Sequence, residues 1–125
     1  MYKSGLIFIA IVGILLFFVA CKNGMSEQEK FIQGKWSYSE QVDEGFSSHI
    51  SWTFDKGSFE MDGYPPINVK GNYSVKRAKE DAITLELYSQ TWDGEKQEDE
   101  TLKIQIDKSN KTIKIRGRGP FTRSL

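Results

Sequence analysis

The sequence predicts an all-β domain: an eight-stranded antiparallel up-and-down barrel with a short N-terminal helical turn. Three observations point there. Apolar and polar residues alternate with period two in a series of short runs. Compact turn sequences separate those runs, and no long helical pattern follows Gly34. A β-sandwich is the alternative arrangement of the same strands. Closure is favoured because an open meander leaves two unpaired edges.

The elements follow in chain order. Residues 22–24 are a short polar tether. Ser26-Glu27-Gln28-Glu29 reads as a capping box, with Ser26 at the N-cap and Glu29 three residues on. The turn it opens runs through Phe31 and Ile32 to Gly34. It is too short to stand alone, so Phe31 or Ile32 must pack on the body. Trp36 and Tyr38 then alternate with Ser37 and Ser39. Ile50, Trp52 and Phe54 alternate with Ser51, Thr53 and Asp55, and Phe59 and Met61 with Glu60 and Asp62. Val69, Gly71, Tyr73 and Val75 form a fourth apolar face, Ile83, Leu85 and Leu87 a fifth, and Leu102, Ile104 and Ile106 a sixth. Ile113 and Ile115 make a seventh, and Phe121 stands in a short eighth strand. Strict alternation means one dry face and one wet face per strand. Asp55-Lys56-Gly57 and Asp93-Gly94 are hairpin turns that need positive φ at glycine. Lys108-Ser109-Asn110-Lys111 is a compact polar loop, and Pro65-Pro66 forces a break before Ile67. Strands of about six residues give a barrel roughly 20 Å long. Its interior is only just wide enough for side chains to meet. Trp52, Phe54, Phe59, Tyr73, Leu85, Leu87, Ile104 and Ile115 are therefore expected to fill it, leaving at most a small pocket at the open end.

The first residues have a different character. Lys3 precedes an unbroken apolar run over residues 6–20, which ends in a small residue, Ala20, just before Cys21. A basic start, a short apolar stretch and a small-residue cleavage site make a secretory signal. The run is shorter than the roughly 20 residues a spanning helix needs. Its end at Cys21 resembles the lipobox of bacterial lipoproteins. That resemblance implies removal of residues 1–20 and a lipid on the Cys21 thiol. An uncleaved N-terminal anchor, or a secreted protein cut near Ala20, are the alternatives. All three place the remainder outside the cytoplasm. The chain then divides into a signal peptide at 1–20, a lipidated cysteine and tether at 21–25, and one domain at 26–125.

Composition removes several function classes. Lys plus Arg and Asp plus Glu are 17 each, so the formal net charge is zero and nothing favours nucleic acid. The charge is unevenly placed: eight acids against Lys96 over residues 80–100, then seven bases against Asp107 over residues 103–123. Cross-strand pairing on a solvated face, such as Glu86 opposite Lys103, accounts for it. His49 is the only histidine and Cys21 the only cysteine, so neither a Cys/His nucleophile pair nor a histidine metal cluster can be built. His49 is expected at a strand start, hydrogen-bonded locally. Glu98-Asp99-Glu100 alternates faces along a strand and reads as a solvated acidic hairpin rather than a Ca²⁺ site. Arg116-Gly117-Arg118-Gly119 reads either as a flexible basic turn or as an anion contact. No catalytic residue, metal or cofactor is expected.

Gly34-Lys35-Trp36, after a helical turn and opening the first strand, resembles the Gly-x-Trp signature of lipocalins and their short bacterial relatives. The resemblance covers roughly residues 26–125. It implies a tryptophan closing one barrel end beneath an arginine from the last strands. Arg116, Arg118 and Arg123 lie in the right region, and Arg123 is the preferred match. Trp36 would then be structural. The expected function is a non-catalytic, membrane-anchored cell-envelope module binding a small apolar ligand or a protein partner, with Tyr38, Tyr73 and Trp92 as candidate contacts. A purely structural lipoprotein with a filled core is the alternative.

Overall fold

The computed structural model describes residues 24–124 apart from Glu44. The expected signal peptide, the expected lipidation site Cys21 and the first residues of the expected tether lie outside the described residues. The element order is α1 (Glu27–Ile32), β1 (Gly34–Asp43), β2 (Phe46–Asp55), β3 (Ser58–Tyr64), β4 (Ile67–Lys79), β5 (Ala82–Trp92), β6 (Glu95–Lys96), β7 (Glu100–Asp107), β8 (Thr112–Ile115) and β9 (Arg118–Arg123). Strands β1 to β5 pair in sequence, β5 pairs with β7, and β7, β8 and β9 return to β1. The result is a closed eight-stranded antiparallel barrel, and every strand expected from the alternation is one of its staves. Strand β6 is an addition: its two residues pair back on Thr91 and Trp92 across the Asp93-Gly94 turn.

Turn chemistry sets the hairpins. Lys56 and Gly57 have φ of 44° and 96°, and Asp93 and Gly94 have 49° and 89°. Two successive positive φ values match the right-handed twist of the flanking strands. The β7–β8 loop is stapled by Asp107, whose carboxylate accepts from the Asn110 backbone N–H at 3.1 Å and from its side-chain amide at 2.8 Å. The Asn110 side chain, first of these, holds the Asp107 carboxyl below its ordinary pKa.

The alternating faces meet inside. All eight residues expected to fill the barrel are buried, none more than 3% exposed. Trp52 stacks between Phe54 and Phe59, and Phe54 meets Tyr73 edge-on. Curvature comes from two bulges between β4 and β5: the register shifts between Lys70 and Asn72, where β5 carries the extra residue, and again between Val75 and Arg77, where β4 does. At the first, a Cβ on Gly71 would sit 2.9 Å from the Tyr88 carbonyl and 3.1 Å from the Gln90 Cα, so only glycine lets β4 and β5 close there.

Two local expectations are corrected. Val75 is exposed, because β4 continues past its last β3 partner, Asn72, and stands beyond the barrel wall. Glu86 faces Thr101, which donates to its carboxylate at 3.0 Å, while Lys103 faces Thr84. The register is set by the whole ring of strands, so it places Lys103 one pleat away.

Candidate functional site

The two barrel ends are built differently. Helix α1 lies over one of them and closes it. Ser26 caps α1 by accepting from Glu29 N–H at 3.1 Å. The reciprocal half of the capping box is replaced by a tertiary bond: the Tyr73 hydroxyl donates to the Glu29 carboxylate at 2.8 Å. The Gln33 side-chain amide donates to that same hydroxyl at 2.9 Å, and its Oε1 accepts from Lys56 N–H in the β2–β3 turn at 2.8 Å. Burial, and secondarily Glu29, pushes the Tyr73 phenol above its ordinary pKa.

Trp36 is fully buried beside α1, with its indole N–H donating to the Ile32 carbonyl at 2.8 Å. Phe31 stacks on one side of it at 5.8 Å between ring centroids. The Arg123 guanidinium lies 4.4 Å from the Trp36 ring centroid and donates to the Gln33 and Phe31 carbonyls at 2.6 and 2.7 Å. Arginine thus covers the indole and satisfies carbonyls that a helix end leaves unpaired. Of the three candidate arginines, Arg123 is the one on Trp36. Gly34 completes the arrangement. Its φ is +108°, and a Cβ there would press on the Arg123 guanidinium at 3.2 Å.

The opposite end is open. A cavity of about 660 Å³ enters between the β5–β7 connection, β3–β4 and β8. Trp52 is its floor, with Met61, Ile67, Val69 and Trp92 on the apolar side and Gln90, Lys96, Glu98, Asp99, Glu100 and Arg116 on the polar side. Trp92 is 49% exposed. Its hairpin is fastened: Asp93 N–H donates to the Asn68 carbonyl at 2.8 Å, and Asn68 N–H donates to the Asp93 carboxylate at 3.0 Å. Buried Gln90 holds the next segment, donating to the Glu98 carbonyl at 2.7 Å and accepting from Gln97 N–H at 2.8 Å. Arg116 pairs with Glu100 and lies 5.4 Å from the Trp52 ring centroid. Each end therefore carries an arginine over a tryptophan.

Of the three expected contacts, Trp92 lines this cavity. Tyr38 is half-buried on β1, 5.3 Å from the Phe121 ring, and does not. Tyr73 is corrected outright: it sits at the closed end with its hydroxyl engaged by α1. Alternation places Tyr73 inside but cannot say at which height. Met61, Val69 and Arg116 were not foreseen as mouth residues. The Val69–Trp92 cross-strand pairing brings two of the walls together, and it follows from the β5 bulge opposite Gly71. A larger groove, about 990 Å³, runs over the outer wall along β7 and β8; its lining mixes charges of both signs and holds no aromatic ring.

His49 lies within β2 rather than at its start. Its ring nitrogens share hydrogen bonds with Ser39 and Ser51, each at 3.0 Å, and Ser51 continues to Ser37 and Ser124. Ser51 is fully buried. A nucleophile has to reach its substrate, and this hydroxyl instead stitches β2, β1 and the C-terminal segment together on the outer wall. Among the described residues, no three histidine, cysteine or carboxylate side chains gather as a metal ion would need.

No family model matches the sequence, and no curated protein or solved structure matches the chain.

Proposed function

We propose that this protein is a non-catalytic cell-envelope binding module, held to a membrane by a lipid on Cys21 and working through the open mouth of its barrel. The observation that carries the reading is Trp92, half-exposed on a fastened hairpin at the rim of a cavity floored by a second tryptophan. Large exposed aromatics on rigid supports are favoured at binding surfaces. The packed interior leaves cargo no room deeper in the barrel, so a ligand or a partner's side chain is received at the mouth. The Gly34, Trp36 and Arg123 arrangement supports kinship with short lipocalin-like lipoproteins.

The mouth is tested with anilinonaphthalene sulfonate, an aromatic anion suited to Trp92 and Arg116. Saturable fluorescence enhancement is expected, and Trp92→Ala is expected to weaken it about ten-fold, since a hot-spot aromatic contributes about 1.4 kcal/mol or more. Tyr88→Ala, on the outer wall, is the control. Equal binding by all three proteins would reject the mouth as the site. Anchoring is tested separately by Cys21→Ser, which should remove the lipid mass and release the protein from the membrane fraction.

A further inference from the structure

The two barrel ends differ in charge. At the open end, the segment from β5 to β7 holds Asp93, Glu95, Glu98, Asp99 and Glu100 against Lys96, and the β8–β9 hairpin adds Arg116 and Arg118, which leaves five acids against three bases. At the closed end, Lys30, Lys56, Lys76, Arg77, Lys79 and Lys111 are all exposed. Asp55, Glu80 and Asp81 stand among them and lower the net charge, which stays positive. Glu27, Glu29 and Asp107 add three more negative charges there, and Lys108, paired with Glu27 at 3.6 Å, and Arg123 add two positive ones, so the balance remains positive.

The chain also enters at this end. Helix α1 begins at Glu27, and Cys21 lies five residues before Ser26. Five extended residues reach about 17 Å at most. Strand β1 has 10 residues, so it is about 33 Å long and, tilted as barrel strands are, about 25 Å tall. A lipid on Cys21 therefore cannot bring the open mouth face-on to the bilayer, whereas the closed end is within reach.

We infer that the closed end docks on anionic lipid headgroups through its exposed lysines, Lys56, Lys79 and Lys111 foremost, and that this turns the acidic mouth away from the bilayer. The inference rests on the lipid-anchor reading and adds the orientation and the lipid chemistry. Basic side chains near an anionic leaflet are attracted within a Debye length, and acidic ones are repelled. Docked in this way, Trp92 and its cavity face an envelope partner instead of lipid.

The test uses the lipidated protein added to vesicles of phosphatidylcholine alone or with about 30% phosphatidylglycerol, an anionic content that gives a substantial surface potential. Lysine acetylation rates are read site by site by mass spectrometry, with Lys96 at the open end as the internal reference. In anionic vesicles, Lys56, Lys79 and Lys111 should react about three-fold or more slowly relative to Lys96 than in neutral vesicles. Roughly 0.5 M NaCl should erase the difference, because it shortens screening to about 4 Å. The Lys56→Glu/Lys79→Glu/Lys111→Glu variant, changed only at exposed turn and strand-end positions, should float with the vesicles yet lose protection at Lys30. Vesicle-bound protein with the same relative rates in both lipids would overturn the docking inference and leave the anchor standing. Protein that floats with neither vesicle would overturn the anchor and the inference together.

Discussion

At the residue scale, Arg123 shows how one side chain closes a barrel. Its guanidinium stacks on Trp36 and bonds two carbonyls at the end of α1. Lysine offers a point charge on a flexible stem and cannot do both at once. Arg123→Lys is therefore expected to cost about 1–2 kcal/mol, read from the urea midpoint. Tyr73 makes a second case, in pH dependence. Its folded pKa is raised, chiefly by burial. Below about pH 10 the phenol is protonated in both states and its stabilising contribution is complete. As the pH climbs from there through the raised folded value, the unfolded chain loses the proton first and stability falls. Tyr73→Phe cannot lose a proton, so its stability should fall less steeply than wild type over that window in urea titrations. An equally steep decline in both proteins would show that Tyr73 is not the titrating group.

At the element scale, what matters is how closely neighbouring backbones approach. Gly63 on β3 lies opposite Ile50, and a Cβ there would collide with the His49 carbonyl of β2. Backbone cannot swing aside as a long side chain can. Gly63→Ala is expected to destabilise the barrel by about 1–3 kcal/mol. A thermal melt should register this as a drop of several degrees, about 4–8 °C for each kcal/mol in a domain of this size. Helix α1 makes the complementary point. Six residues cannot hold a helix in water. It persists because Ile32 is buried, Ser26 caps one end and Arg123 takes up carbonyls at the other. Half of the capping box legible at Ser26 was realised. The other half gave way because the Glu29 carboxylate found the buried Tyr73 hydroxyl.

For the whole molecule, interior volume decides between carrier and contact module. Trp52, Phe54, Phe59 and Tyr73 interlock with leucines and isoleucines from β5, β7 and β8 across the full width of the barrel. No fatty-acid or retinoid-sized probe is expected to enter this interior. Titration with a fluorescent fatty acid should give no saturable uptake that survives in the Trp92→Ala variant. Uptake that persists there would mean a cavity behind the packed rings and would return the carrier reading. The same packing sets the base of the mouth, whose cavity of about 660 Å³ is larger than the small pocket expected there, with Trp52 in its lining and the Asn68–Asp93 bonds at its rim.

The staves and several of the turns that join them are local properties of the chain. A period of two is written in each strand locally, as is the positive φ demanded at Gly57 and Gly94, so the eight strands, most of their inward faces and the turns at those glycines were legible, Val75 being the inward position the barrel leaves exposed. Gly34 and Trp36 were legible as a pair because they sit two and four residues beyond the end of the helix they serve. Height and register around the ring belong to the closed barrel: Tyr73 at the closed end, Glu86 against Thr101, and Val69 beside Trp92 at the mouth. These depend on the stagger accumulated from strand to strand and on the two bulges between β4 and β5. A bulge advances every later partner by one residue, and alternation, which repeats every second residue, carries no record of how far a strand has slid by whole pleats along its neighbour.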